Sequence, residues 1–293
     1  MMDRLRPWLV AARPATLWAS VTPVVVAAAL AAADDVWRGD VFAVLLAVAA
    51  LLQVAVNYAN DLEDAVRGVD TATRTGPLRA VASGLIAPAT MRVGIVVIIA
   101  MAAVAGLYIA WVSGAEMLLI GVVAVAAALG YSGGPRPYAS LGLGEVSVFV
   151  FFGPVATVGS RYAFDRTAPE DAWVASVVMG LLATAILVAN NLRDIPTDAA
   201  SGKRTLAVRI GAGATRRLYL AVVALAFGTV AVGTATGWLP PWSALALGAA
   251  PLVLPAARAV TSGATGARLV PALVGTARLM AITGALLAVG ALV

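Results

Sequence analysis

Long apolar segments alternate with short polar ones along most of this chain. A helix of roughly 20 apolar residues crosses the hydrocarbon core of a bilayer, which is about 30 Å thick. Turn residues separate the apolar segments, as in "DDVWRGD", "SGGPRPYAS" and "TGWLPPW". The predicted spans are 15–33, 41–60, 92–111, 115–131, 142–160, 173–191, 216–236, 242–257 and 270–293. The pattern predicts an all-α integral membrane protein with nine transmembrane helices.

Composition supports this class and narrows the chemistry. Of 293 residues, 61% are hydrophobic and 12% are charged, against about 25% charged in ordinary soluble domains. The sequence has no histidine and no cysteine, which excludes histidine bases, thiol nucleophiles, His/Cys zinc sites and disulfides. Any bound metal is therefore expected to be a hard cation held by oxygen ligands. The first 16 residues resemble an amphipathic lead-in more than a cleaved signal peptide.

The basic residues indicate an orientation in the membrane. If the nine spans alternate from a cytoplasmic N-terminus, sixteen of the 20 Lys and Arg residues lie inside. Arg38, Arg161 and Arg166 lie outside, and Arg278 falls within the last span, where it either snorkels or lines a cavity. This bias predicts a multi-pass plasma-membrane protein with its N-terminus inside and its C-terminus outside.

A repeat appears when the chain is shifted by 130 residues against itself. "ANDLED" (59–64) then lies on "ANNLRD" (189–194), and Arg74-Thr75 lies on Arg204-Thr205. Each copy ends an even-numbered span, so a duplication of four helices explains the match. We expect one transmembrane domain over 1–293 with repeats at about 11–140 and 141–260, plus a ninth helix at 270–293. Two parallel repeats around a central cavity would bring their polar motifs face to face.

Each motif places acids and amides at helical spacing. The first has side chains at i, i+3, i+4 and i+7, namely Asn57, Asn60, Asp61 and Asp64. The second has them at i, i+3 and i+7, namely Asn191, Asp194 and Asp198. Pro196 is expected to interrupt the second helix, so that Asp198 projects from a turn.

These acids have two interpretations, solvated helix ends or a metal site. A carboxylate at membrane depth costs about 2.5–3.5 kcal/mol, and several facing one another also repel. A bound cation removes both costs, and Mg²⁺ is the cation that commonly accompanies phosphate substrates. The duplication therefore favours a Mg²⁺ site, with its ligands drawn from Asp61, Asp64, Asp194 and Asp198.

Basic residues follow the acids in both copies. They are Arg74, Arg79, Lys203, Arg204 and Arg209. Anchoring at lipid headgroups is the alternative, and it suits Arg92, Arg216 and Arg217. Repetition at a fixed distance from carboxylates suits a diphosphate better. The Gly-rich segment 132–144 is either a tight turn or, with Tyr131, Tyr138 and Glu145, a lid or a substrate contact.

These residues resemble the UbiA superfamily of intramembrane prenyltransferases. The first motif of that family is NDxxDxxxD, which Asn60, Asp61 and Asp64 match, whereas Gly68 replaces the last acid and Asp70 follows two residues later. That departure is similar to the 1,4-dihydroxy-2-naphthoate polyprenyltransferases of menaquinone synthesis. Further similar segments are "AARPATLWASVTPV" (11–24), "RTGPLR" (74–79), "YSGGPRPYASLGLGE" (131–145) and "NNLRDIPTDAASGKRTLAVRIG" (190–211).

The resemblance implies a Mg²⁺-dependent enzyme with two substrates. It would transfer a polyprenyl chain from its diphosphate to 1,4-dihydroxy-2-naphthoate, releasing CO₂ and diphosphate and giving demethylmenaquinone. The acids named above would hold the metal and act in catalysis. The expected substrate-binding residues are Asn57, Asn60, Arg67, Asp70, Arg74, Arg79, Tyr131, Tyr138, Asn190, Asn191, Lys203 and Arg204.

Other functions stay open at this point. Within the same superfamily, the acceptor could be 4-hydroxybenzoate, haem, chlorophyllide or phosphoribose. A transporter or a lipid-binding scaffold is the alternative of another class. Transporters often combine inverted repeats with charges near the midplane, whereas these repeats are parallel and their charges cluster at one face. Nothing in the sequence indicates a nucleic-acid partner.

Overall fold

The computed structural model describes residues 2–68, 79–134 and 137–293, with residues 2–4 described as backbone only. Every regular element in these ranges is helical. The helices are α1 (Met2–Ala12), α2 (Pro14–Ala33), α3 (Gly39–Val66), α4 (Pro88–Ser113), α5 (Glu116–Ser132), α6 (Gly144–Asp165), α7 (Glu170–Ala200), α8 (Leu206–Thr236), α9 (Pro241–Thr261) and α10 (Gly266–Leu292). A short turn of 3₁₀ helix, Tyr138–Leu141, lies between α5 and α6.

The predicted all-α membrane fold is confirmed. Within the described ranges, eight helices are long and apolar enough to cross a membrane, namely α2–α4 and α6–α10. Helix α5 is apolar but has only 17 residues, which gives a length of about 26 Å. These nine helices lie at the predicted positions, and α1 precedes them as the expected lead-in.

Helix α7 is the most buried of the long helices and organises the second half of the molecule. It packs against α6, α8 and α10 in one large core that also includes α2. Glycines let α6 and α7 approach closely, because a Cβ on Gly180 would lie 2.7 Å from the carbonyl oxygen of Phe149. The middle of α6, Phe151–Val158, forms wider π-helical turns around Pro154. Such turns often occur beside functional sites.

The predicted interruption at Pro196 was wrong. Helix α7 runs without a break to Ala200 and carries Asp198 on its last turns, where the side chain is only 5% exposed. A proline inside a helix loses one hydrogen bond and crowds the carbonyl four residues earlier, at a cost of about 3 kcal/mol. The helix continues despite that cost, with Pro196 exposed and Asp198 buried on the opposite side of the last turns. Both acidic motifs therefore lie on continuous helices.

Candidate active site

A cavity of about 420 Å³ lies between the helices of both halves. Its walls are mainly apolar, with Leu52 from α3, Ile120 from α5 and Phe151 and Phe152 from the π-helical part of α6. Leu187 of α7 belongs to the same wall. The polar residues of the wall are concentrated close to the C-terminal ends of α3 and α7. The cavity is therefore an apolar chamber with one charged end.

The charged end joins the two sequence motifs. The asparagine and aspartate residues of the cavity wall on α3 and α7 are Asn57, Asn60, Asp64, Asn190, Asn191, Asp194 and Asp198. The carboxylate of Asp64 pairs with Arg79 Nη2 at 2.9 Å and lies 3.6 Å from Lys203 Nζ. Because Lys203 follows the second motif and Asp64 belongs to the first, the structure brings the two motifs together around one cavity.

Arg193 is a contact that the sequence analysis missed. Its side chain is 4% exposed and donates to both oxygens of Asp194, at 2.7 and 2.6 Å, and to Asn190 Oδ1 at 2.8 Å. The signal in the sequence is its position inside the run "NNLRD", between Asn190 and Asp194.

Asp61 occupies a different environment from the one that we predicted. Its side chain is fully buried, and it is not part of the cavity wall. Its two oxygens accept hydrogen bonds from the backbone N–H groups of Ala80 and Val81, at 3.0 and 2.9 Å. Asp61 therefore fixes the segment that follows Arg79, and we remove it from the expected set of metal ligands.

The asparagines of the first motif connect helices. Asn57 Nδ2 donates to the carbonyl oxygen of Ala12 at 2.8 Å and to Thr16 Oγ1 at 2.9 Å, so it ties α3 to the junction of α1 and α2. Asn60 Oδ1 accepts a hydrogen bond from Ser132 on α5. Both asparagines line the cavity while holding its walls together.

The end of α5 and the turn between α5 and α6 contribute aromatic residues to the cavity. The rings of Tyr131 and Tyr138 meet edge to face, with their centroids 5.5 Å apart, and both line the cavity. The hydroxyl of Tyr138 donates to the carbonyl oxygen of Ala127 at 2.6 Å, and burial raises the pKa of Tyr138 above its ordinary value. Glu145 lies under this turn, 6% exposed, and accepts from Asn191 Nδ2 at 2.9 Å.

Among the described residues, two expected substrate-binding residues, Arg67 and Arg204, are not brought to the cavity. Arg67 is exposed at the end of α3 and pairs with Glu63 at 3.4 Å. Arg204 is exposed, and its carbonyl oxygen accepts from Arg209. Neither side chain lines the cavity. Asp70 and Arg74 lie outside the described residues. Arg278 is exposed on α10 and is absent from the cavity wall, which favours snorkelling.

The oxygen atoms at the charged end of the cavity are chemically suited to bind a hard cation. The carboxylates of Asp64, Asp194 and Asp198 line one cavity together with amide oxygens, and oxygen ligands are those that Mg²⁺ prefers. Among the described residues, no three acids form a ready-made metal cluster. Asp64 and Asp194 instead pair with Arg79 and Arg193. Binding a cation here therefore requires these ion pairs to rearrange.

Comparison with known proteins agrees with this geometry. The model of the UbiA prenyltransferase family matches residues 20–269. A 1,4-dihydroxy-2-naphthoate octaprenyltransferase of Mycobacterium tuberculosis is 43% identical over 99% of this chain and 98% of its own length. The protein of the same name from Escherichia coli is 36% identical over 88% of this chain and 86% of its own length.

Solved structures share the fold at low sequence identity. A UbiA homolog from Aeropyrum pernix K1 has a TM-score of 0.70 with 16% identity, covering 92% of this chain and 97% of its own. A UbiA homolog from Archaeoglobus fulgidus bound to GPP and Mg²⁺ has a TM-score of 0.61 with 16% identity, covering 96% of this chain and 99% of its own.

Proposed function

Because this chain belongs to the UbiA prenyltransferase family, we propose that it transfers a polyprenyl chain from its diphosphate to 1,4-dihydroxy-2-naphthoate. The products are CO₂, diphosphate and the hydroquinone form of a demethylmenaquinone-type lipid, which air oxidises to the quinone on isolation, and the cofactor is Mg²⁺. Relatives at 36–43% identity carry the name of this activity. The observation that carries the proposal is an apolar cavity whose charged end combines both acidic motifs with Arg79 and Lys203.

The charged end suits a diphosphate. Asp64, Asp194 and Asp198 would hold Mg²⁺, which when bound neutralises the charge that develops on the departing diphosphate. Arg79 and Lys203 line the same end and would bind diphosphate oxygens directly. Each of these two basic side chains contacts Asp64. When Mg²⁺ and diphosphate bind, Asp64 can therefore turn to the metal while Arg79 and Lys203 turn to the phosphate oxygens.

The apolar chamber suits the prenyl chain and protects the reaction. As the carbon–oxygen bond to diphosphate breaks, the allylic carbon gains positive charge, and the walls around Phe151 and Phe152 exclude the water that would quench it. The electron-rich ring carbon that bears the carboxylate forms the new carbon–carbon bond. The carboxylate then leaves as CO₂, and its bonding electron pair restores the aromatic ring. No base has to take a proton from that carbon, which agrees with a chain that lacks histidine.

The placement in the cell follows from the same features. The chain is a multi-pass membrane protein, and we propose that it lies in the plasma membrane with the charged end of the cavity toward the cytoplasm. The sixteen-to-three distribution of basic residues supports this orientation. Its partners are then the polyprenyl diphosphate, the naphthoate and the lipid bilayer. We interpret the two parallel repeats as the product of a duplication.

A competition assay tests the proposed acceptor. Purified protein in lipid nanodiscs receives dihydroxynaphthoate and 4-hydroxybenzoate together, with one polyprenyl diphosphate and Mg²⁺, and mass spectrometry identifies the lipid products. We expect a demethylmenaquinone-type product that disappears when the metal is chelated. Prenylated hydroxybenzoate without a naphthoquinone product would contradict the acceptor. The absence of any covalent product would favour a transporter or a scaffold.

A further inference from the structure

Arg13 holds an unusual position at the break between α1 and α2. Its backbone is left-handed, with φ 49° and ψ 69°, and Pro14 follows it. Long side chains adopt this conformation rarely, because the Cβ atom crowds the backbone. Arg13 lines the cavity. The cavity wall therefore contains a basic residue whose backbone is strained.

Neighbouring hydrogen bonds hold this conformation in place. Thr16 donates to the carbonyl oxygen of Arg13 through both its backbone N–H, at 2.8 Å, and its hydroxyl, at 2.9 Å. Asn57 fixes the same turn from α3 through Ala12 and Thr16. Strained backbone persists where the surroundings over-determine it, and it concentrates at binding sites. Here a residue of the first motif enforces the strain.

The backbone turn at Arg13 is anchored to a different level of α3 from the level that carries Asp64. This turn is anchored to Asn57, seven residues before Asp64 on α3, a distance of about 10 Å along the helix axis. Among the described residues, the basic side chains of the cavity wall are Arg13, Arg79 and Lys203. The last two contact Asp64. The turn that carries Arg13 therefore lies at a second level of the cavity wall, where Gln53 and Thr16 also line the cavity.

We propose that Arg13 binds the carboxylate of the aromatic acceptor, an inference that rests on the proposed function. A guanidinium pairs with a carboxylate through two parallel hydrogen bonds, which fixes direction as well as distance. Held at this level, the acceptor ring lies between the Asn57 turn and the diphosphate end. Because a plain phenol lacks the carboxylate, Arg13 selects acids over plain phenols.

The test removes the charge from the protein and from the acceptor separately. The protein variants are Arg13→Gln, Arg13→Lys and Arg13→Asn, the last because asparagine tolerates left-handed backbone. Arg92→Gln is the matched control, since Arg92 is exposed and outside the cavity wall. The two acceptors are 1,4-dihydroxy-2-naphthoate and 1,4-dihydroxynaphthalene, which lacks the carboxylate. Michaelis constants, equilibrium binding of both compounds and the thermal midpoint are measured for every variant.

We expect Arg13→Gln and Arg13→Asn to weaken naphthoate binding by about 10- to 100-fold, the usual worth of a hydrogen-bonded charge pair. Their affinity for the dihydroxynaphthalene and their constant for the prenyl diphosphate should stay at the wild-type values. Arg13→Lys should restore part of the naphthoate affinity, and Arg92→Gln should match the wild type.

The results that would contradict these expectations distinguish a failure of the proposed role of Arg13 from a failure of the proposed function. Wild-type turnover of the naphthoate with unchanged constants in Arg13→Gln would overturn this inference alone. Equal weakening of both acceptors would also overturn it, because the residue would then act through the fold of the turn. A wild-type protein that makes no naphthoquinone product would overturn the proposed function and, with it, this inference.

Discussion

Asp61 and Asp64 are three residues apart on α3, yet they meet different partners. Asp64 lines the cavity and pairs with Arg79, whereas Asp61 is fully buried against backbone N–H groups. Within one helical turn, Asp64 is therefore placed to contact substrate, whereas Asp61 holds the backbone of a neighbouring segment. The two positions call for different outcomes on mutation.

The first prediction concerns the cavity acids. Asp64→Asn or Asp194→Asn should lower turnover at saturating Mg²⁺ by about 100-fold or more, because the amide keeps the shape but loses the charge that holds the cation. The thermal midpoint should also fall, because each carboxylate compensates a buried arginine, so the rates are measured by steady-state assays on the folded fraction in nanodiscs. Near-normal turnover in both variants would contradict the proposed metal site.

Asp61→Asn is the matched contrast. The new amide would place an NH₂ group against the N–H of Ala80 or Val81, so a buried donor loses its acceptor at a cost of about 1–3 kcal/mol. We expect a lower thermal midpoint and an unchanged concentration of Mg²⁺ for half-maximal activity in the folded fraction. A strong shift in the Mg²⁺ requirement without loss of stability would return Asp61 to the ligand set.

The second prediction concerns the basic residues of the cavity. Arg79→Gln or Lys203→Gln should raise the Michaelis constant for the prenyl diphosphate, lower turnover, or both, because each would lose a charged contact with the diphosphate. The constant for the naphthoate should change less. Arg204→Gln is the control, since that side chain is exposed and outside the cavity wall. A change in the naphthoate constant alone would assign these residues to the acceptor carboxylate.

At the scale of elements, close packing of α6 on α7 sets the width of the cavity. The π-helical turns of α6 carry the apolar wall, and α7 carries the second acidic motif. Gly153 and Gly180 meet across this contact, where a Cβ on either would lie 2.7 Å from a backbone oxygen of the other helix. Without a side chain at these positions, the motif on α7 comes within reach of the cavity.

The third prediction tests that contact. Gly180→Ala should lower the thermal midpoint in detergent, because backbone atoms cannot yield to the added methyl group as a side chain can. Gly228→Ala on α8 is the control: no atom lies within 4 Å of its Cβ position, and replacing a helical glycine there should leave the midpoint unchanged or raise it. Equal midpoints for the two variants would mean that α6 and α7 do not need this close approach.

At the scale of the whole molecule, the two motifs share one cavity although about 130 residues separate them. Lys203 reaches Asp64 across the interface of the two halves. Both ends of this contact must then lie on one side of the membrane, which agrees with parallel repeats.

The fourth prediction is the sidedness of the chain. The native sequence has no cysteine, so single cysteines can be labelled without background. Ser83→Cys and Ser201→Cys, both at exposed positions, should react only from the cytoplasmic side, and Thr167→Cys only from outside. Membrane-impermeant maleimide on intact cells and on inverted vesicles distinguishes the two sides. Labelling of Ser83→Cys and Ser201→Cys from opposite sides would exclude the shared cavity.

The sequence by itself determined the class, the helices and the chemistry of the site. Apolar length dictates membrane helices because unpaired backbone groups are intolerable in hydrocarbon. The scarcity of charge made the two acidic motifs conspicuous, and helical spacing placed Asn57, Asn60 and Asp64 on one face. These inferences depend on composition and local geometry, which the order of residues contains directly.

Only the tertiary structure decided which partner each polar group meets. Spacing placed Asp61 beside Asp64. In the folded chain, however, the backbone N–H groups of Ala80 and Val81 donate hydrogen bonds to the carboxylate of Asp61. Local propensity predicted a break at Pro196, but the helix continues through it to Ala200. Arg13 and Arg193 became visible only when their helices met the cavity and the second motif. Contacts between residues distant in sequence depend on how whole helices pack, and that is a property of the assembled molecule.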